Sequence, residues 1–316
     1  MAAVPQSNRR RRECRLSFVL LLLAGVGMSA PAQPQDQSQA KSTRNLDSDR
    51  PEAWAMNYFT SVTLLSGLSM PRSRAPGSID IALELDRIPQ LSESERRIGF
   101  DGRKEEDLNK APVFGRPRVT IGLPWHSALI VSYIPPVKIY GLKPHIVTVA
   151  LERPLLESGP WTLGARLYGQ LGTVRGAFTC PDDVTAYPPG APGNVYGCDT
   201  QSNDKAYQHY AGFELSGSYR IERLGGLTPY VTLGVNYLNT KVQVHAQVFG
   251  RADRNRLDAD TNTASAGIGL IYALDERLTL SAGAFYSPLE VRRQPSTSSN
   301  NDPLINFRTQ ISYRFR

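Results

Sequence analysis

Alternation with a period of two recurs along most of this chain. Between Tyr207 and Glu222 the odd positions hold Tyr207, His209, Ala211, Phe213, Leu215, Gly217, Tyr219 and Ile221, and the even ones Gln208, Tyr210, Gly212, Glu214, Ser216, Ser218, Arg220 and Glu222. Successive side chains of a strand point to opposite faces, so such a segment has one dry face and one wet face. Tyr207 and Tyr219 stand twelve residues apart on the dry face. That is ~40 Å along a strand at ~3.3 Å per residue, or ~30 Å of depth at a ~40° tilt, the separation of two aromatic girdles around a bilayer's apolar band. Similar dry faces appear at Ile79, Ile81, Leu83 and Leu85, at Val231, Leu233, Val235 and Tyr237, and at Ile268, Leu270, Tyr272 and Leu274.

The C-terminal strand repeats the pattern: Ile305, Phe307, Ile311, Tyr313 and Phe315 alternate with Asn306, Arg308, Gln310, Ser312, Arg314 and Arg316. A terminal strand with aromatics at these places resembles the assembly signal of bacterial outer-membrane β-barrels, and this likeness implies recognition by the outer-membrane assembly machinery. At the other end, Arg9, Arg10, Arg11, Arg12 and Arg15 precede the apolar run Leu16 to Met28 and the small-residue site Ala30-Pro31-Ala32. Residues 1–32 therefore read as a secretory signal. The apolar run is shorter than the roughly 20 residues of a spanning helix. Residues 33–52, poor in apolar side chains, are expected to form a polar periplasmic leader, and residues 53–316 the barrel.

Eleven strand segments are expected: 57–69, 78–87, 113–123, 126–134, 145–152, 161–174, 205–222, 227–248, 263–274, 277–291 and 304–316. Spanning barrels have short periplasmic turns and longer outer loops. Stretches 88–112, 175–204, 249–262 and 292–303 are long, whereas 124–125, 153–160, 223–226 and 275–276 are short. An odd number of strands cannot return both ends to the periplasm, so about twelve are expected. The missing one is sought in 44–56 or in a division of 227–248, where the apolar parity flips near Asn239-Thr240; a β-bulge is the plainer source of that flip.

The net charge of +7 is mostly signal sequence, because its five arginines outweigh Glu13 and the remainder carries +3. No basic run with interleaved aromatics follows, so nucleic acid is not an expected partner; outer-membrane lipid and lipopolysaccharide are. Cys180 and Cys198 share a Pro/Gly-rich loop, and an oxidising compartment favours a disulfide between them. No metal or cofactor site is expected. Adjacent His126 and Ser127 point to opposite faces and make a poor catalytic pair. Asp182-Asp183 resembles the acidic pair of omptin proteases, yet no His-Asp pair can be placed beside it. Asp258, Asp260 and Asn262 lack the glycine and glutamate of a calcium loop.

The wet parity assigns ten charged residues to the lumen: Asp80, Glu84, Asp86, Arg116, Arg118, Arg166, Glu214, Arg220, Arg308 and Arg314. Asp86 and Glu84 are expected to face Arg116 and Arg118 across an antiparallel pair. Such a lining suits a passive, porin-like channel for small polar solutes and not an enzyme. The alternatives are a structural or adhesive barrel working through its outer loops, and a barrel hydrolase.

Overall fold

The computed structural model describes residues 42–315. The signal, residues 33–41 of the leader and Arg316 lie outside them. Ten antiparallel strands make the wall: β1 Ile79–Arg87, β2 Val113–Gly122, β3 Ala128–Ile134, β4 Lys143–Ser158, β5 Trp161–Gly176, β6 Asp204–Tyr219, β7 Thr228–Gln243, β8 Arg256–Ala273, β9 Leu278–Ser287 and β10 Leu304–Arg314. Each pairs with its neighbour in sequence. The cylinder closes where β10 pairs with β1, with Arg308 opposite Asp86 and Arg314 opposite Asp80. Closure leaves no sheet edge, the condition for a β-structure to sit in lipid. No described helix is long and apolar enough to cross a membrane.

The distribution of polarity is inside out. Leu167, Leu233, Ile268 and Phe307 on the outer face are 60–63% exposed, while Glu84, Arg116, Arg166 and Glu214 on the inner face are at most 1% exposed. Aromatics bound the outer apolar belt. Trp161 and Tyr219 meet at 4.8 Å near the short-turn end, with Tyr272 and Tyr313 on the same rim. Tyr133 and His145 meet at 5.8 Å near the long-loop end. This is the construction of a bacterial outer-membrane β-barrel.

Ten strands replace the expected twelve. The segment Asn57 to Ser69, read as the first strand, belongs instead to helix α1, Pro51–Val62, and to the extended chain that follows it. Removing it restores an even count, so neither proposed source of a twelfth strand is needed. Residues 44–56 contain only the short strand Thr43–Asn45, parallel to the start of β8, before α1 begins. The run 227–248 is not divided, because β7 keeps its even residues inward throughout. The parity flip is real in the sequence, and its cause is the inward Leu238 and Val242, which pack on the segment inside the barrel.

The wall thus begins at Ile79, and residues 51–70 fill the interior. Thr43–Asn45 pairs with Arg256–Asp258, at the end of β8 that bears a long loop. This described part of the expected periplasmic leader therefore sits at the outer mouth. From there the chain descends and leaves at the short-turn end, where Gly77 N–H bonds Gly122 O at 2.9 Å.

The exposed belt supplies a first test. Leu167→Arg, on the mid-belt outer face of β5, should cost about 2–4 kcal/mol in refolding into lipid vesicles, measured by urea titration. An equal stability of variant and parent would mean that this face does not meet lipid.

Candidate functional site

Helix α1 has twelve residues and all of them except Phe59 are buried. A helix covered on every side must lie inside something. Pro51 at its first turn needs no partner for a missing N–H. Trp54 donates its ring N–H to Asp302 O at 2.9 Å and lies under the Arg293 guanidinium at 4.6 Å. Asn57 donates to Thr261 Oγ1 at 2.9 Å on β8. Trp54, Tyr58, Leu64 and Leu65 pack with the inward Ile130, Ile146, Tyr168, Tyr210, Leu238, Phe285 and Leu304. The wall is therefore apolar where it meets the helix and charged below it.

The last carbonyls of a helix have no partner within it and carry its negative dipole end. Here two wall arginines take them. Arg308 donates to Ser61 O and Val62 O, both at 3.3 Å, and to Leu64 O and Ser66 O at 2.8 and 2.9 Å. Arg116 donates to Thr63 O at 2.7 Å and Leu64 O at 3.3 Å. Farther down, Arg166 donates to Ser69 O and its hydroxyl, both at 2.9 Å. Glu214 accepts from Gly67 N–H at 2.7 Å and Ser66 Oγ at 2.5 Å. Gly67 has φ +75°, and an added Cβ would come within 3.0 Å of Phe285, so glycine suits this turn beside the wall.

Four arginines and four carboxylates close this network. Arg116 pairs with Glu84 at 2.8 Å, and Arg118 pairs with the same carboxylate. Arg166 holds Glu152 and Glu214, each at 2.8 Å, and Arg308 lies 3.8 Å from Asp86. The same guanidinium groups that meet these carboxylates also donate to plug carbonyls.

Nine of the ten charged residues assigned to the lumen occur at its wall or lower rim. Glu84 faces Arg116 in register, as expected, whereas Asp86 faces Phe114 on that side and meets Arg308 on the other. Asp80 pairs with Arg74 and lies 3.5 Å from Arg314 at the lower rim. Arg314 itself is half exposed there. Arg220 does not join the lumen, because it follows β6 in an exposed turn and pairs with Glu222 at 2.7 Å. Glu152 was missed because the strand was expected to end at that residue, whereas β4 continues to Ser158.

Beside α1, in the long-loop half of the barrel, lies a cavity of about 510 Å³. One side is the face of α1 that carries Glu52, Ala55, Met56, Phe59 and Val62, and the other includes Ile88, Phe114, Ile134, Ile146, Val174 and Phe178. Charged groups are fewer: Glu52 on α1, Glu106 and Lys110 from the loop between β1 and β2, and Arg44, Lys241, Asp253 and Arg256. Burial pushes the Glu106 carboxyl up to about 7, against the opposing pull of Lys104 at 2.8 Å. Two outer loops meet over this region: Phe100 stacks on Tyr196 at 5.5 Å, and Tyr196 donates to Arg103 O. The second of these loops carries the expected Cys180–Cys198 disulfide. Among the described residues no cluster of three or more His, Cys, Asp or Glu is placed to hold a metal.

No protein-family profile and no curated protein sequence matches the chain. Similar solved structures are bacterial outer-membrane barrels. The outer-membrane protease OmpT of Escherichia coli is 11% identical, with 80% of this chain and 100% of that one covered and a TM-score of 0.39. Ail, the attachment invasion locus protein of Yersinia pestis, is 13% identical over 76% and 100%, with a TM-score of 0.25. The toluene transporter TodX of Pseudomonas putida is 13% identical over 77% and 69%, with a TM-score of 0.30.

The latch on the plug yields a second test. Loss of one partner of a buried ion pair costs about 3–5 kcal/mol, because the other charge stays behind uncompensated. In planar bilayers the parent should stay closed, and a folded Arg116→Ser/Arg308→Ser variant should show discrete openings. A variant as silent as the parent would contradict the latch.

Proposed function

We propose that this protein is a plugged outer-membrane barrel that captures a small, predominantly apolar molecule in its outer mouth. The carrying observation is the cavity beside α1, whose volume falls in the range of small-molecule sites and whose walls are mostly aliphatic and aromatic. A site with this balance gains from removing apolar surface from water, at roughly 25 cal/mol per Å². Its charged groups, outnumbered by the apolar ones, are there to meet a ligand's polar end.

A passive channel for small polar solutes fits this arrangement less well. Glu84, Arg116, Arg166, Glu214 and Arg308 are at most 1% exposed, so water has almost no access beside the charges expected to line a conducting path. Passage of a polar solute requires residues 51–70 to leave first. In this reading the barrel binds its ligand without turnover, and the plug separates the loaded mouth from the periplasm.

Decanol, decanoate and maltose serve as probes in native mass spectrometry of the detergent-released barrel. The parent should retain decanol or decanoate and not maltose. Phe59→Lys, which places a charge on the helix side of the cavity, should reduce retention at least tenfold. Retention of maltose alone, no retention of any probe, or equal retention by parent and variant would overturn the reading.

A further inference from the structure

The outer wall carries a row of cations that the plug and cavity do not use. Lys143 on β4 is in register with Arg175 on β5, and Arg175 with Lys205 on β6. All three share the outward parity of their strands: Lys143 with Val147 and Val149, Arg175 with Leu167 and Leu171, Lys205 with Phe213 and Leu215. Lys143 and Arg175 are exposed and Lys205 is half-buried. Three adjacent strands ~4.8 Å apart thus present three positive charges side by side on the outside of the barrel.

Their depth is set by the same strands. Trp161 marks the inner aromatic rim, and Arg175 follows it by fourteen residues on one continuous strand. That is ~46 Å of strand, or ~35 Å of depth at a ~40° tilt. A hydrocarbon core is ~30 Å thick, so the row lies just past its outer edge, at the level of headgroups. Directly beneath it in register lie His145, Thr173 and Tyr207, and then the apolar belt.

No acid neutralises the row. Among the described residues, Lys143, Arg175 and Lys205 have no carboxylate within ion-pair distance, whereas farther round the rim Asp258 holds both Lys241 at 3.7 Å and Arg256 at 3.0 Å. Asp204, next to Lys205, is fully buried and its carboxylate accepts from Phe178 N–H, Thr179 N–H and His245 N–H. Lys205 instead lies over the Tyr207 ring at 4.4 Å.

We propose that Lys143, Arg175 and Lys205 form a binding site for the phosphate-bearing headgroup of an outer-leaflet glycolipid, with its acyl chains along the belt of β4, β5 and β6. The charge, the spacing and the position over an apolar wall all fit a phosphorylated lipid, and a guanidinium flanked by two ammonium groups binds phosphate oxygens strongly.

The test uses the full barrel in detergent, immobilised, with purified lipopolysaccharide as probe beside the same material stripped of phosphate. The parent should bind the phosphorylated form, and removal of its phosphates should weaken binding at least tenfold. Lys143→Ser/Arg175→Ser/Lys205→Ser should weaken it roughly a hundredfold, at about fivefold per headgroup-level cation. Arg175→Ser alone should weaken it about fivefold, and Arg175→Lys should restore most of that loss; this pair decides the matter if the triple variant does not fold. Equal binding by parent and variants, or indifference to the phosphates, would overturn the site. Tight binding of inorganic phosphate alone would overturn its assignment to a lipid.

Discussion

The structure depends on the contact between the carbonyl end of α1 and the guanidinium groups of Arg116 and Arg308. A helix end buried in a barrel has no water to satisfy it, and an orphaned buried carbonyl costs on the order of 1–3 kcal/mol. Arg308 alone reaches four plug carbonyls and also stacks 3.7 Å from the Phe285 ring. The arginines in turn need counter-charges, which Glu84 and Asp86 on β1 supply. Helix, latch and carboxylates form one interdependent set, and none of the three has a suitable environment without the others.

This set divides the barrel's interior by chemistry. Below the helix the wall is ionic and dry, held by backbone groups of residues 63–70. Beside it, toward the outer loops, lies the mostly apolar cavity. Ordinary soluble proteins bury apolar residues and expose charge; this chain does the reverse on its wall, and the lipid belt and the plug are the two reasons.

Much of the wall was legible in the sequence. The alternation at Tyr207 to Glu222 located β6 within three residues at each end, because one face meets lipid and the other meets a polar interior. The plug was not legible by that rule. Asn57 to Ser69 has apolar residues enough to suggest a strand, and its helix is buried all round, which removes the one-sided pattern by which a helix is recognised. A signal for it existed nonetheless. The flip at Leu238 and Val242, together with inward Ile146 and Leu304, marked the height at which the lumen stops being wet. The charged residues of the site were mostly found by parity, and so was the pairing of Glu84 with Arg116, but their partners on the plug were not, since those acceptors are main-chain carbonyls that carry no residue identity. Arg220 was misplaced because alternation continues past the end of the strand into the turn.

A cross-link can fix the position of residues 63–70 against the barrel wall. Ser66 and Ser265 have hydroxyl oxygens 3.4 Å apart, one on the plug and one on β8. In outer membranes carrying Ser66→Cys/Ser265→Cys, mild oxidation should join the two peptides in nearly every molecule, as read by mass spectrometry of the unreduced protein. Two freely alkylatable thiols under the same conditions would place the segment elsewhere and contradict the account.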